Sequence, residues 1–450
     1  MFDEFDPVSA KQWKQKIQFD LKGADYNDAL IWQSPEGIHV KPFYHRDDFS
    51  TPFAPIPGHP RQWKIAQAVF IDDEAIARSL ALDSAIRGAE AICFTADKVF
   101  DFKKLFLDFP FGKVTIYFQF GFLDADFTNQ LISYLSEKNT RSFYNIDLLG
   151  NLAKSGNWYH NKNKDHQQLE TILSAYPSEE IISIDTSLYQ NAGANSVQQL
   201  AYALAHANEY LNHFDKNDKL KVTFKVAVGS NYFFEIAKIR ALRILYATLA
   251  TEYGIQETCH ILASPTRRNK TVYEYNSNML RTTTEAMSAI LGGADAVCNQ
   301  PYDALYHKSN EFGERISRNQ LLVLKSESYF DQVSNIADGS YYIESLTNDL
   351  AQKALELFKE IEKTGGFLKQ LLAGAIQKKI KESAQKEQQL FDEGKLILVG
   401  SNKYVNTNDR MKDHLELYPF VKRNPRKTIL EPILEKRLSE ELEQQRLNDE

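Results

Sequence analysis

The chain has 450 residues, of which 43% are hydrophobic and 12% aromatic, and its formal net charge is −7. This length suits either two or three average domains or one large α/β barrel with extensions. No apolar run approaches the length of a membrane span, and the net acidity argues against general nucleic-acid binding, so we expect neither a membrane nor a nucleic-acid partner.

The N-terminus and the cysteines bear on the compartment. Residues 1–23 mix acidic and basic side chains without the apolar region of a signal peptide, so we expect the protein to be mature from Met1. Cys93, Cys259 and Cys298 are widely spaced and form no CxxC pair, which disfavours a disulfide framework and a structural zinc site. These features predict a cytoplasmic protein in a reducing compartment.

The first 60 residues are expected to lie outside the main domain. An N-terminal helix is followed by the proline-rich stretch SPEGIHVKPFYHRDDFSTPFAPIPGHP at 34–60. Proline fixes φ and removes a backbone donor, so this stretch predicts an ordered arm that runs along a surface.

From residue 61 to 365, β-like runs alternate with longer helical patterns. Such alternation predicts right-handed βαβ units and a parallel sheet. The eight candidates favour a closed (β/α)₈ barrel of the TIM type over an open sheet. The strand candidates are KIAQAVFI, AEAICFTA, KVTIYFQF, SFYNIDLL, EEIISIDTSLY, KVTFKVAVG, ETCHILAS and the run that follows the turn at Gly292-Gly293.

The end of the chain, 366–450, is expected to form a helical C-terminal extension. The helix pattern LTNDLAQKALELFKEIEK ends at Gly365-Gly366 and is followed by FLKQLLAGAIQKKIKESAQKEQQLFDEG. A charged final helix is predicted over PILEKRLSEELEQQRLNDE. We expect it to pack on its own barrel rather than to bind a partner helix.

Few side chains indicate chemistry on their own. The P-loop, dinucleotide, zincin and α/β-hydrolase motifs are absent. His206 and His213 could share a helix face, although two such histidines are more often surface or core residues than ligands. Cys298 could be a nucleophile or a small buried hydrophobe. Asp185 follows a strand, where barrel enzymes place catalytic groups, but Asp is equally typical of a turn or cap there.

The stretch TCHILASPTRRNK, 258–270, has the form of a barrel strand that runs into a Ser-Pro-Thr turn. A base or ligand is expected at that end of a barrel strand. The buried positions instead hold Leu262 and Ala263, with His260 just before them, so the chemistry uses other residues or is missing.

Several longer stretches identify a family. They are RTTTEAMSAILGGADAVCNQPYD, NEFGERISRNQLLVLKSES and VSNIADGSYYIESLTNDLAQKALELFKEIEKTGGF within 281–367, together with PEGIHVKPFYHRDD, DTSLYQNAGANSVQQLAYALA, FKVAVGSNYFFEIAKIRALRILYATLATEYG and LVGSNKY. Together they resemble the barrel domain of the methylmalonyl-CoA mutase family over most of the chain. The resemblance implies a barrel that, in active members, holds an acyl-CoA along its axis and adenosylcobalamin at one end.

The departures from the family pattern fall on substrate-contacting positions. The Arg and Tyr of a family stretch correspond to Ala66 and Ala68 in QWKIAQAVF. The family's thioester-contacting His corresponds to Leu262, and another His to Cys298. A carboxylate-binding Arg corresponds, in a looser alignment, to Asn212, and Asn cannot replace a bidentate guanidinium.

The resemblance therefore implies a non-catalytic small subunit of a heterodimeric, adenosylcobalamin-dependent methylmalonyl-CoA mutase. The cobalamin-binding segment of active members, with its cobalt-ligating His, has no counterpart before Glu450. We expect no catalytic, cofactor-binding or metal-binding residues in this chain, with adenosylcobalamin held by the large catalytic subunit. Residues 1–60 are the candidates for wrapping that partner, and Leu262 predicts a filled barrel.

Three alternatives stay open. The first is an active acyl-CoA mutase barrel that works with a separate cobalamin-binding polypeptide, which would require intact polar residues in the barrel. The second is a different barrel enzyme that uses carboxylates such as Asp185. The third is a stand-alone CoA-binding module.

Overall fold

Eight parallel strands form the centre of the molecule. The computed structural model describes residues 6–214, 217–422 and 425–450, so the first five residues of the predicted N-terminal segment lie outside the described residues. The strands are β1 Trp32–Gln33, β2 His39–Val40, β3 Lys64–Phe70, β4 Ala91–Ala96, β5 Thr115–Phe120, β6 Ser142–Ile146, β7 Glu180–Asp185, β8 Val222–Val228, β9 His260–Pro265 and β10 Ala296–Cys298. β1 and β2 form a small antiparallel hairpin, whereas β3 to β10 close into a barrel in which β10 pairs with both β3 and β9. The predicted barrel is confirmed, and each predicted strand segment overlaps a barrel strand.

Helices surround this barrel and continue beyond it. They are α1 Ala10–Asp20, α2 Tyr26–Leu30, α3 Glu74–Ile86, α4 Phe102–Leu105, α5 Ala125–Ser136, α6 Leu148–Ser155, α7 Lys162–Ala175, α8 Ser187–Asn191, α9 Ser196–His213, α10 Tyr232–Tyr253, α11 Ser277–Gly292, α12 Glu311–Leu322, α13 Tyr341–Lys363, α14 Phe367–Leu372, α15 Ala375–Asp392 and α16 Glu440–Asp449. No helix in the described part of the chain combines the length and apolarity needed to cross a membrane.

Aspartate N-cap residues mark the points where loops after the strands enter the following helices. Asp73, Asp101, Asp124 and Asp147 each accept backbone N–H bonds at the first turn of α3, α4, α5 and α6. An Asp in this position satisfies amides that the helix leaves without partners. At the other end of α11, Gly293 takes a left-handed conformation with φ 91°, as expected for the chain reversal before β10.

The N-terminal arm lies on the outside of the barrel. Phe49 stacks on Tyr341 of α13 with ring centroids 5.7 Å apart, and Tyr44 contacts Tyr342 at 5.2 Å. The helix α1 before it has no buried residue, and its Trp13 side chain is 49% exposed. The arm is therefore anchored to its own barrel, whereas α1 contacts the arm through the Trp13 ring, 6.2 Å from the Phe43 ring, and leaves Phe19 largely exposed.

The final helix is shorter than predicted. It begins at Glu440 rather than near Pro432, because the preceding backbone bonds to the barrel instead of to itself. The Arg268 guanidinium donates to the Lys436 carbonyl at 2.6 Å, and the Leu438 amide donates to the Arg268 carbonyl at 2.9 Å. These tertiary bonds hold the segment extended across the ends of the strands.

Candidate functional site

The side chains that point into the barrel form a cluster separate from the main core. Along each strand, inward side chains alternate with side chains that face the helices. Ile65 and Ile92 belong to the outer core between strands and helices. The interior cluster contains Ala66, Ala91, Tyr117, Phe143, Leu262 and Ala296, with Cys93 and Cys298 packed against it.

Four of the inward side chains block the barrel axis. The Tyr117 and Phe143 rings stack with centroids 4.6 Å apart, and the Phe143 ring lies 4.1 Å from the His260 ring. Leu262 packs in the same cluster and is only 7% exposed. We name Tyr117, Phe143, His260 and Leu262 the axial plug. Its presence agrees with the filled barrel expected from Leu262.

A row of three polar side chains, Asp295, His260 and Tyr117, runs through the plug, and the contact between His260 and Tyr117 is a hydrogen bond. The Tyr117 hydroxyl lies 2.8 Å from His260 Nε2, and Asp295 Oδ2 lies 3.7 Å from His260 Nδ1. The carboxylate favours the tautomer with its proton on Nδ1, so we assign the Tyr117 hydroxyl as donor to Nε2. Arg243 donates to Asp295 Oδ2 at 2.7 Å, which anchors the far end of the row.

Burial keeps this row chemically inert. It lowers the pKa of His260 to about 4, although Asp295 acts in the opposite direction. Burial also raises the pKa of Tyr117 well above its ordinary value. At neutral pH, the imidazole is therefore neutral and the phenol protonated, and both are sealed from solvent. The row stabilises the plug rather than providing an acid or base to a ligand.

The carboxyl end of the barrel, beyond the plug, is more open and more polar. We name this space the upper chamber. By the strand alternation it is lined by Ala68, Cys93, Thr95, Gln119, Asp185, Lys225, Ser264 and Cys298. Ala68 is exposed and the other seven are partly buried, so the chamber is open to solvent.

Asp185 and Lys225 satisfy each other in the upper chamber. Lys225 Nζ donates to Asp185 Oδ2 at 2.7 Å and to Gln119 Oε1 at 2.6 Å. Burial would raise the pKa of Asp185, but the Lys225 ammonium holds it below its usual value. Asp185 also accepts the Ser187 amide, as a turn residue would. Sequence reasoning missed Lys225, although a Lys within the apolar strand KVTFKVAVG was a signal that could have identified it.

Five positions were expected to replace polar, substrate-contacting residues of the family, and the structure distributes them over three places. Ala66 and Leu262 meet in the interior cluster, whereas Ala68 and Cys298 lie in the upper chamber. Asn212 is exposed on α9, outside the barrel, and its side chain accepts a hydrogen bond from the Tyr253 hydroxyl at 2.6 Å. A side chain on this outer helix cannot face the barrel axis, so the assignment of a substrate-binding position to Asn212 was wrong.

The two helical histidines do not meet at a ligand site. His206 is buried, with Nδ1 2.9 Å from the Tyr189 hydroxyl and Nε2 2.9 Å from Asp147 Oδ1. His213 instead pairs with Glu170 at the surface. Within residues 6–214, 217–422 and 425–450, no group of three or more His, Cys, Asp or Glu side chains could hold a metal ion.

Comparisons with known proteins agree with the motifs. The family model described as methylmalonyl-CoA mutase matches residues 90–448. The methylmalonyl-CoA mutase small subunit of Porphyromonas gingivalis is 32% identical, over 93% of this chain and 73% of that protein. Methylmalonyl-CoA mutase of Rhizobium meliloti is 29% identical, over 90% of this chain and 65% of that protein. The methylmalonyl-CoA mutase large subunit of Streptomyces virginiae is 25% identical, over 91% of this chain and 64% of that protein.

This chain thus spans about two thirds of the length of the last two relatives. Among solved structures, dihydropteroate synthase from Thermus thermophilus is 11% identical with a TM-score of 0.33, over 59% of this chain and 94% of that one. The match of the family model to most of the chain, with the 32% identity to the Porphyromonas protein, shows that the chain belongs to the methylmalonyl-CoA mutase family.

Proposed function

We propose that this chain is the non-catalytic small subunit of a heterodimeric, adenosylcobalamin-dependent methylmalonyl-CoA mutase and that it stabilises the catalytic large subunit. The observation that carries the proposal is the axial plug. An acyl-CoA held along the barrel axis would need the volume that Tyr117, Phe143, His260 and Leu262 fill.

The chemistry of the remaining space also supports a silent barrel. Rearrangement of an acyl thioester requires polar groups directed at the reacting atoms. Ala66, Ala68 and Leu262 offer only methyl and isobutyl groups at three positions where the family resemblance implies polar contacts. The charged groups of the upper chamber, Lys225 and Asp185, are already paired with each other.

The upper chamber does not fit a cobalt-ligating role. The resemblance places the cobalt-ligating imidazole in the cobalamin-binding segment rather than in the barrel, and none of the eight chamber-lining side chains is an imidazole that could take over that role. His260 lies in the plug below, with Nε2 already bonded to Tyr117. The proposal therefore assigns adenosylcobalamin to the large subunit, and no step of a reaction is assigned to this chain.

The proposed role requires a surface for the large subunit, and α1 is our candidate. It leaves Trp13 half-exposed, and Phe19, six residues further along the helix, is 79% exposed. Apolar side chains of a helix usually face a partner element, because their exposure to water is unfavourable. We propose that α1 and the arm at 34–60 contact the large subunit. Because the complex forms only between folded chains, association would stabilise the folded state of both.

The test is turnover of methylmalonyl-CoA with adenosylcobalamin by this chain alone, the cognate large subunit alone and their mixture, with masses from light scattering. We expect a one-to-one complex that is active, no turnover by this chain alone, and unchanged turnover when the mixture carries Asp185→Asn. A loss of turnover with Asp185→Asn would place chemistry in this barrel. Turnover by this chain with only an isolated cobalamin-binding polypeptide would establish the alternative, an active acyl-CoA mutase barrel.

A further inference from the structure

Two histidine side chains from different helices meet on the outside of the barrel. His166 lies on α7, and His213 is the last residue of α9. Their imidazole rings lie edge to face, with ring centroids 4.7 Å apart and an angle of 60° between the ring planes. His213 therefore does not meet His206 of its own helix, but it does meet a histidine of another helix.

Hydrogen bonds determine which nitrogen atom of each ring is free. Nδ1 of His166 lies 2.7 Å from the Lys162 carbonyl oxygen, which can only accept, so we assign the proton of this ring to Nδ1. Nε2 of His213 lies 2.8 Å from the Glu170 carboxylate and is the donor for the same reason. Within the described residues, Nε2 of His166 and Nδ1 of His213 have no hydrogen-bond partner.

The partners of the two rings are those that metal-bound histidines usually have. A histidine that binds a metal through one nitrogen commonly donates its other N–H to a backbone carbonyl or a carboxylate, as His166 does to Lys162 and His213 to Glu170. Burial also lowers the pKa of His166, although the bond to the Lys162 carbonyl acts in the opposite direction. At neutral pH, Nε2 of His166 therefore holds a lone pair, which a metal ion requires.

The separation of the rings also suits a shared ion. With metal–nitrogen bonds of about 2.1 Å, two imidazoles on one ion have ring centroids roughly 4.5 to 5.2 Å apart, depending on the angle at the metal. The distance of 4.7 Å lies within this range. The His213 side chain is 38% exposed, so a small rotation of its ring can direct Nδ1 to the ion without displacing core atoms.

The available ligands determine the class of ion. In the part of the chain that the structure describes, no third His, Cys, Asp or Glu side chain completes a metal-binding group, so water must fill the other positions. Imidazole ligands suit the late divalent ions Ni²⁺ and Zn²⁺, whereas Ca²⁺ and Mg²⁺ require oxygen ligands. The pair lies at the surface, where water has access, and the exposed Glu170 carboxylate offsets part of the positive charge.

We propose that His166 and His213 form a two-imidazole binding site for a divalent ion of the Ni²⁺ and Zn²⁺ class, completed by water, that links α7 to α9. Because the two rings adjoin only in the folded chain, the bound ion would stabilise the folded state. The site uses no residue of the barrel interior, α1 or the arm, so it is independent of the proposed mutase role. It departs from our expectation of a chain without metal-binding residues.

The experiment is a calorimetric titration of the reduced, full-length chain with Ni²⁺ at neutral pH. We expect one bound equivalent, with an affinity at least about tenfold lower in His166→Gln and in His213→Gln. Glu170→Gln should keep the stoichiometry and weaken binding about tenfold, since it removes the carboxylate that orients His213. The matched control is His414→Gln, because His414 is exposed in the C-terminal extension and should leave the affinity unchanged. Circular dichroism checks that each variant is folded.

Two measurements on the unmodified protein do not depend on any variant. X-ray absorption of the nickel-loaded chain should show two imidazole ligands and no sulfur, and thermal unfolding should give a Tm that rises with the nickel concentration. Absence of nickel binding, fewer than two imidazoles, sulfur ligands, an unchanged affinity in both histidine variants, or loss of binding in His414→Gln would each overturn the proposal.

Discussion

The phenolic oxygen of Tyr117 lies 2.8 Å from Nε2 of His260, inside the barrel and shielded from solvent. The two residues come from β5 and β9, which do not pair with each other, so their hydrogen bond crosses the barrel. It links side chains on opposite walls at the height where the axis is blocked. The stability of the plug depends on this polar contact as well as on apolar packing.

Replacing Tyr117 by Phe should destabilise the chain by about 1–3 kcal/mol, because His260 Nε2 would stay buried without a donor. Urea unfolding followed by circular dichroism measures the change. The control is Tyr404→Phe, since Tyr404 is 77% exposed and its hydroxyl can bond to water. Equal stability of the two variants would contradict the role of the Tyr117 hydroxyl.

Replacing Leu262 by Ala should cost about 2–5 kcal/mol of unfolding free energy, since it removes buried methyl groups and leaves a cavity among rigid strands. The same substitution at Leu80, which is 46% exposed on α3, should cost much less. Chemical denaturation of both variants provides the comparison. A small effect at Leu262 would mean that the plug is loosely packed.

Stability should fall as the pH is lowered from 6.5 to 4, because burial lowers the pKa of His260 to about 4 in the folded chain. Between these values the unfolded chain binds the extra proton, so the contribution is fully present above pH 6.5 and lost near pH 4. It amounts to at most about 3 kcal/mol. Urea unfolding across this range should give a flatter profile for His260→Gln, whereas the exposed His414→Gln should keep the original slope.

Two neighbouring glutamates should differ sharply in their effect on the C-terminal extension. Arg437 and Glu443 form a buried pair at 2.6 Å, so Glu443→Ala leaves a buried charge and should cost about 3–5 kcal/mol. Glu441 pairs with Lys436 at the surface, and Glu441→Ala should cost at most about 1 kcal/mol. Limited proteolysis of the extension, alongside denaturation, measures both. Similar protease resistance of the two variants would refute the anchoring role of the buried pair.

Replacing Trp13 by Asp should change complex formation more than folding. Trp13 is 49% exposed and meets Phe43 of the arm edge-on, with ring centroids 6.2 Å apart, so the unfolding free energy should fall by at most about 1.5 kcal/mol. If α1 contacts the large subunit, loss of an exposed Trp should weaken association at least about tenfold. Light scattering and biolayer interferometry measure the affinity of each variant for the large subunit, and Tyr404→Asp is the surface control. Unchanged binding would remove α1 from the interface.

The barrel was predictable because its signals are local. Each strand is a short apolar run bounded by a turn residue, and Asp73 or Gly293 marks a helix end within a few positions of the chain. The plug could be predicted only in part. Leu262 indicated a filled axis, but the partners of His260 depend on barrel closure and register, which bring together strands that are distant in sequence.

Contacts between segments that are distant in sequence also determine the upper chamber and the start of the last helix, and neither could be predicted. Cys93 and Cys298 pack against the same interior cluster only because the β10–β3–β4 order brings their strands together, which their positions in the sequence do not indicate. The final charged segment has helical composition throughout, yet Arg268 holds the backbone around Lys436 extended. Tertiary hydrogen bonds outweigh local propensity there, and a single sequence gives no measure of them.

The β10–β3 pairing also has a consequence for the order in which the protein is made. Ala296 pairs with Lys64, so the barrel cannot close until most of the chain has left the ribosome. Until then the edge of β3 keeps unpaired backbone groups, which are prone to pair with other nascent chains. Because long-range pairings of this kind fold slowly, we expect this edge to stay open for longer than the edges of strands that pair with their neighbours in sequence.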